Sequence, residues 1–264
     1  MVNTVSARAA LGAEFIKIRT VRSTAWTLAL ALILSVGLGI LLCLSLRHGF
    51  DNRMDPRARA NFDPVTTGFY SLTLGQISLV VFGVLCVGTE YTSGTIRASL
   101  AAVPHRGMFY AAKVLAATMV TLVFSLFTVL LTFFTAQAAL GPHGTTLSEP
   151  GVLRAVVFAC VYLTLLCAFA IGVATMLRST ALSLGIMIPL LFLDSQGLGN
   201  VPKVRTVAQF LPDQVGQVMM QVVKPEKSFI SHRPFGPWTA LGILVIWATA
   251  ACVGGYLLVR RRDA

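Results

Sequence analysis

Long apolar runs without any Asp, Glu, Lys or Arg alternate with short polar segments along the chain. Five such runs lie at residues 24–46, 68–87, 114–140, 155–177 and 238–259. A helix of roughly 20 apolar residues crosses the hydrocarbon core of a bilayer, and each run is long enough to do so. The pattern therefore predicts membrane-spanning helices.

A sixth span is predicted at residues 181–198, where the apolar run is shorter. It contains Pro189 and reaches Asp194. A kinked or broken helix is expected there, since its apolar core alone is too short to cross comfortably. The longest segment outside the spans, residues 199–237, is shorter than an independent soluble domain. We therefore expect one transmembrane domain over residues 1–264, an all-α integral membrane protein with six transmembrane helices.

Two short amphipathic helices are predicted outside these spans. Residues 1–23 combine several basic residues with a narrow apolar stripe, which is typical of an interfacial helix leading into the first span. Residues 212–223 have apolar side chains at helical spacing, and Pro212 suits a first helical position. This second pattern predicts a short helix at the outer surface, or a re-entrant one, between the fifth and sixth spans.

The polar segment 88–113, between the second and third spans, predicts a third short helix. Three apolar residues there have helical spacing: Ile96, Leu100 and Val103. Thr92 or Ser93 can cap the start, and Pro104 prevents continuation beyond the preceding residue. The pattern favours an amphipathic helix lying flat at one membrane face, where it offers a docking surface. An ordinary charged loop is the alternative to a docking surface, and physical reasoning alone favours the loop.

Composition agrees with a membrane protein, because 56% of the 264 residues are hydrophobic and only 12% are charged,. The net charge is +11 and the mean hydropathy +0.78. The basic residues are scattered over loops and span ends, where they can meet the lipid bilayer and its anionic head groups, so a nucleic-acid partner is not expected. The five cysteines all lie within apolar runs, which indicates neither a disulfide framework nor a metal site,.

Polar residues within the predicted spans are candidates for lining a transport pathway. Thr73, Gln76 and Ser78 lie in the second span, and hydrogen bonding between helices is the commoner role for such residues. Asp194 is the acid predicted nearest to a span interior, which makes it a candidate functional group. Because Asp194 lies toward one end of that span, within reach of Lys203 or Arg205, an interfacial ion pair is favoured over a substrate-binding role.

The central segment resembles that of the type-two ABC exporter permeases. The residues that carry the resemblance are Glu90, Ser93, Gly94, Thr95, Ile96, Leu100, Pro104, Arg106 and Lys113. Residues 13–28 also resemble the basic N-terminal segment of that family. The resemblance implies that the short helix is a cytoplasmic coupling helix between spans 2 and 3, pressing on a separate ABC ATPase subunit.

The resemblance also implies which residues meet that ATPase. They are Glu90, Thr92, Ser93, Gly94, Thr95, Arg97, Pro104 and Arg106. ATP and magnesium would bind the partner ATPase, because the sequence contains no GxxxxGK[ST] phosphate-binding loop. Two permeases, identical or paralogous, would complete the exporter in a bacterial plasma membrane, with both termini cytoplasmic. The orientation rests on the resemblance, since Lys and Arg are nearly balanced between the two sides.

Other functions have weaker support in the sequence. An autonomous ion-coupled transporter or channel usually shows midplane acids or repeated halves with broken helices, and one predicted span here is clearly broken. An intramembrane enzyme would need a buried catalytic set, and every histidine lies outside the predicted spans,. We therefore expect a transport subunit that is not itself an enzyme, while a purely structural role remains open. A bundle without midplane charges favours an amphipathic or lipid-like cargo, with drugs, peptides and polymers as alternatives.

Overall fold

The computed structural model describes residues 6–53, 55, 59, 62–103, 105–192, 207–223 and 235–261. Within these ranges the chain is helical and contains no strand. The α-helices are α1 (Ala7–Thr20), α2 (Arg22–Arg53), α3 (Pro64–Phe69), α4 (Leu72–Thr92), α5 (Thr95–Ala102), α6 (Arg106–Leu140), α7 (Val152–Leu177), α8 (Thr180–Phe192), α9 (Pro212–Met220) and α10 (Pro237–Arg261). A 3-10 turn, Gly141–His143, follows α6.

Five helices in the described part of the chain are long and apolar enough to cross a membrane: α2, α4, α6, α7 and α10. They correspond to five of the six predicted spans. The helix within the remaining predicted span, α8, has 13 residues and is apolar but shorter. Residues 193–198, which complete that predicted span and include Asp194, lie outside the described residues. The structure thus shows a helical bundle of the predicted class, with five spanning candidates among the described residues, and the six-span layout stays a prediction.

Helix α7 forms the centre of the bundle and packs against α4, α6 and α10. Small residues allow these helices to approach closely. A Cβ atom built on Gly172 would lie 2.5 Å from the backbone carbon of Ala251 in α10, and one built on Gly83 would lie 3.0 Å from the Cys167 carbonyl oxygen. Close backbone approach maximises van der Waals contact, which is what holds helices together in lipid.

Two of the differences between predicted and observed span boundaries bear on the polar contacts of the fold. The span predicted at residues 68–87 is divided, because α3 ends at Phe69 and α4 begins at Leu72. Asp63 starts α3 by accepting hydrogen bonds from the backbone N–H groups of Val65 and Thr66, and Pro64 occupies the first turn,. Helix α6 begins at Arg106 rather than at residue 114, so Lys113 lies inside the helix.

Helix α9 lies where a short outer-surface or re-entrant helix is predicted, and it is buried among other helices rather than exposed. It packs against α7, α10, α3 and α8. Eight of its nine residues are buried, including Asp213 and Gln214. Gly216 makes this possible, because a Cβ atom there would overlap the ring of Tyr162. The helix therefore belongs to the packed bundle.

Candidate functional site

Helix α5 follows α4 after a turn at Gly94, whose φ of +71° is a left-handed conformation that favours glycine,. The apolar stripe points back at the bundle as the sequence predicts: Ile96 is buried, and Leu100 and Val103 are half-buried. Arg97 is exposed, as are Thr92, Ser93, Gly94 and Thr95. These five predicted contact residues therefore share one accessible surface. Pro104 lies outside the described residues.

The start of α5 differs from the predicted cap. Gly94 occupies the N-cap position and makes no side-chain hydrogen bond. The Thr92 hydroxyl instead donates backwards to the carbonyl of Gly88, at 3.1 Å. The Ser93 hydroxyl donates to Thr89 O at 2.7 Å and accepts from the Thr95 N–H only at 3.5 Å. Threonine and serine therefore extend the end of α4 rather than cap α5, and the junction is held mainly by the glycine turn.

Behind α5, four charged residues form a cluster that we term the ionic cluster: Glu14, Lys17, Glu90 and Lys113. Lys113 Nζ lies 2.7 Å from Glu14 Oε2 and 2.9 Å from Glu90 Oε1. Lys17 Nζ lies 2.8 Å from Glu14 Oε1 and 2.7 Å from Glu90 Oε1. The cluster thus joins α1, α4 and α6.

The ionic cluster also reaches α5 itself, because Lys17 Nζ donates to the Ser99 hydroxyl at 3.2 Å. Its side chains differ in burial: those of Glu14, Glu90 and Lys113 are at most 10% exposed, whereas that of Lys17 is 40% exposed. Two carboxylates and two ammonium groups balance formally. Buried ions require such pairing, since each would otherwise lose its hydration without compensation.

Glu90 is held unevenly within the ionic cluster. Its Oε1 accepts from both lysines, whereas its buried Oε2 has no hydrogen-bond partner among the described residues. The sequence predicted Glu90 to contact the ATPase. The structure places its side chain beneath α5, between two lysines, so any influence on a docked protein would pass through α5 and α1.

Lys17 stays protonated in this setting. Burial alone would lower its pKa, but hydrogen bonds and charge attraction from Glu14 and Glu90 together raise its pKa above the ordinary value of 10.5,. The ring of Phe109 adds a cation–π contact, with its centroid 5.7 Å from Lys17 Nζ and 5.2 Å from Lys113 Nζ,. The ammonium of Lys17 is therefore a permanent charge at physiological pH.

A cavity of about 420 Å³ opens beside the ionic cluster, between α1, α4 and α5. Ile18, Val21 and Leu85 contribute apolar walls, and Ser99 and Thr89 contribute hydroxyl groups. The space lets the exposed part of Lys17 move relative to the helices. The helices around α5 are thus joined by long ionic side chains next to open volume rather than by tight apolar packing.

Arg106, also a predicted ATPase contact, is turned away from α5. Its guanidinium Nη1 donates to the carbonyl of Val259 in α10, at 3.4 Å. The side chain is half-buried in a separate groove between α6 and α10. The structure therefore does not bring Arg106 together with the exposed residues around α5.

The polar residues predicted to line a pathway lie toward the opposite end of α4. Gln76 is buried, and its amide Nε2 donates to Asp213 Oδ1 at 3.2 Å. The hydroxyl of the buried Tyr162 donates to Gln76 Oε1, and Gln214 donates to Asp213 Oδ2 at 2.9 Å. Ser78 is buried as well, and Thr73 is half-buried. Gln76 therefore bonds helix to helix, the alternative that the sequence favoured.

Asp213 is a buried acid that the sequence reasoning missed. It is 4% exposed and lies between α4, α7 and α9. A second anchor lies nearby, where Asp63 Oδ2 accepts the backbone N–H groups of Val222 and Val223 at 2.8 and 2.9 Å. The spacing of Asp213 after Pro212 suggested only a helix start. The signal that could have indicated Asp213 is its hydrogen-bond partner Gln76, because a polar residue within a predicted span needs a polar partner.

The fold and the site define a class: a multi-pass helical membrane protein with an accessible amphipathic helix between two spanning helices. Residues 10–194 match the family model of the ABC-2 family transporter protein, well over half of the chain. The chain therefore belongs to the ABC-2 transporter family and is a permease of the type-two class, a family whose permeases generally associate with an ABC ATPase. A comparison with curated proteins gives no significant match.

Proposed function

We propose that the chain is the membrane permease of an ATP-driven exporter and that a separate ABC ATPase docks on α5. The observation that carries this proposal is the position of α5. It is exposed at Arg97 and Thr95, seated on the bundle by Ile96, and bonded through Ser99 to the ionic cluster. Together with family membership, this supports α5 as the coupling helix.

In this mechanism the ATPase supplies force and the permease transmits it. ATP and magnesium bind the ATPase, whose closure displaces α5 against α4 and α6. The displacement reaches α1 through Lys17 and reaches α6 through Glu90 and Lys113. Ion pairs can exchange partners after small displacements of their side chains. The ionic cluster can therefore remain paired while the helices shift. Two permeases, identical or paralogous, then open alternately to the two faces of the membrane.

The proposal fixes the topology as well. The α5 end of the bundle faces the cytoplasm of a bacterial cell, with both termini on that side, and cargo moves outward. The cargo in this proposal is an amphipathic or lipid-like molecule, because the apolar surface of the bundle would bind such a molecule. The chain carries no catalysis of its own and holds no cofactor in this mechanism.

Co-purification tests the proposal directly. The tagged chain is extracted from its native membrane in detergent, and bound proteins are identified by mass spectrometry. A P-loop ATPase at near-equal amount is expected, and it should be lost when Arg97 and Leu100 are both replaced by Asp. Arg97→Glu alone should weaken association about tenfold, as loss of a charge contact does.

Arg47→Glu is the matched control, because Arg47 is an exposed arginine near the opposite end of α2. It should retain the ATPase at the level of the unmodified chain. Recovery of the chain alone, with flux or current in liposomes without ATP, would replace the exporter by an autonomous carrier or channel.

A further inference from the structure

A second cavity lies between the N-terminus of α6 and the C-terminus of α10. It is an open groove of about 370 Å³, a size within the range of small-molecule sites,. The residues that line it, which we term the basic groove, are His105, Arg106, Gly107, Met108, Tyr256 and Arg260. None of these six is acidic and two are arginines. The basic groove therefore contains two guanidinium groups.

The two guanidinium groups come from different helices, Arg106 from α6 and Arg260 from α10, and both contact residues of α10. Arg106 is tied to the Val259 carbonyl at 3.4 Å, and Arg260 Nη1 lies 3.4 Å from the Tyr256 hydroxyl. The Arg260 guanidinium also lies 5.6 Å from the centre of the Tyr256 ring. Arginine presents five N–H donors in a planar fork that matches phosphate oxygens, so two fixed arginines favour a phosphate ligand.

Gly107 keeps the floor of the basic groove open. A Cβ atom at this position would lie 3.0 Å from Tyr256 Cε2 and 3.3 Å from its hydroxyl oxygen. A larger side chain would push the tyrosine ring or fill the groove. The absence of a side chain here thus preserves space for a ligand between the two arginines.

The length of α10 places the basic groove at the level of lipid head groups. Trp238, near the start of α10, is 69% exposed, as expected for a tryptophan at a membrane interface,. Arg260 follows it by roughly 33 Å along the helix axis, just more than one hydrocarbon thickness. If Trp238 marks one interface, Arg260 lies in the head-group layer of the other.

We propose that the basic groove binds the phosphate head group of an anionic phospholipid of the phosphatidylglycerol class. Its acyl chains would extend along α6 and α10 into the bilayer. Basic pockets between spanning helices at the cytoplasmic face attract such head groups. An acidic surface of the ATPase is the competing occupant. Lipid is favoured because Arg106 turns toward α10, away from the exposed face of α5 that carries Arg97.

Native mass spectrometry of the purified full chain, without any ATPase, tests this proposal. The chain is titrated in detergent with dioleoyl phosphatidylglycerol and, separately, with dioleoyl phosphatidylcholine. We expect about tenfold tighter binding of phosphatidylglycerol, as one lost charge-assisted hydrogen bond would imply. The double variant Arg106→Gln, Arg260→Gln should bind the two lipids equally within about twofold.

Further variants distinguish binding in the groove from general attraction between basic residues and anionic lipid. Gly107→Leu leaves every charge in place but fills the groove, so it should also remove the preference. Gly242→Leu is its control, because a Cβ atom there meets nothing within 4 Å. Arg47→Gln controls for the loss of one exposed arginine, and both controls should bind like the unmodified chain.

The outcomes are distinct from those for the proposed function. Equal loss in Arg47→Gln and in the double variant would overturn the groove as a site. Retained phosphatidylglycerol preference in the double variant, with ATPase association lost, would assign the groove to the ATPase instead. If the double variant loses the lipid preference but still binds the ATPase, the result supports the lipid site. That conclusion would hold even if the exporter proposal failed.

Discussion

The two ends of the bundle use carboxylates in opposite ways. At the α5 end, Glu14 and Glu90 pair with the ammonium groups of two lysines. At the α9 end, Asp63 accepts four backbone N–H groups, those of Val65, Thr66, Val222 and Val223, and Asp213 accepts side-chain amides. The contacts described above are thus between carboxylate and ammonium groups at one end, and between carboxyl and N–H groups at the other.

We expect this difference to make the α5 end easier to rearrange than the α9 end. Lysine side chains are flexible and can follow a moving carboxylate, and the 420 Å³ cavity gives them room,. Asp63 instead accepts the backbone N–H groups of Val222 and Val223, which follow α9, so its carboxylate ties α3 to that segment,. A permease that receives force at one end and holds a shape at the other would be built in this way.

Removal of Lys113 should give the largest effect. Lys113→Met leaves Glu14 and Glu90 buried with only Lys17 to compensate them, and breaking a buried ion pair costs about 3–5 kcal/mol. Denaturant titration of the protein in detergent should show this loss as a lower free energy of unfolding. Lys17→Met is the comparison and should cost less, since Lys17 is partly exposed. Equal and small effects of both variants would show that the ionic cluster is not held as described.

Removal of the Asp63 carboxylate should come next. Asp63→Ala removes the cap of α3 and strands the N–H groups of Val222 and Val223, at an expected cost of about 2–3 kcal/mol. Proteolysis should then cut first after α9, because the segment there loses its anchor. Asp55→Ala is a matched control, since Asp55 is exposed. A protease pattern unchanged from that of the native chain would contradict the anchoring role.

A smaller change should follow from the loss of one hydroxyl. Tyr162→Phe removes the donor to Gln76 while keeping the packed ring, and should cost about 0.5–1 kcal/mol,. Thermal unfolding in detergent measures it, with Tyr70→Phe as the control because Tyr70 is 59% exposed. A shift no larger than that of the control would mean that the hydroxyl contributes nothing to the α9 end.

The smallest effect is expected from pH at the α5 end. The folded-state pKa of Lys17 is raised, so its contribution to stability is complete below the unfolded value, near 10.5, and is lost as pH rises through the folded value,. Stability should therefore fall above pH 10.5, and Lys17→Met should fall less steeply. Unfolding curves from pH 9 upward measure the difference, and identical slopes would rule out this linkage.

Elements that depend on local spacing could be predicted from the sequence. Charge-free runs located the five long helices, and the stripe of Ile96, Leu100 and Val103 located α5 with its buried side. The glycine turn at Gly94 was within the predicted segment. Apolar runs and helical spacing predict these helices because the same apolar environment, lipid or the packed bundle, surrounds one side of a helix along its whole length.

Contacts between distant residues could not be predicted in the same way. Glu14 and Lys113 are 99 positions apart, and nothing in their local sequence indicates a partner. Asp213 lies in a segment predicted as a short outer-surface or re-entrant helix, and its partner Gln76 is 137 positions away in the sequence. The break between Phe69 and Leu72 was missed because both sides of it are equally apolar.

The pairing of Glu14 with Lys113 also constrains how the protein is made. During synthesis α1 emerges first, yet its buried ion partner is added only after 99 more residues, at elongation rates of about 5–20 residues per second,. Until then Lys17, three residues further along the same helix, is the only member of the ionic cluster that can pair with Glu14. The first helix of the chain therefore docks only after α6 has begun to enter the bilayer, which makes it one of the later elements to reach its final position.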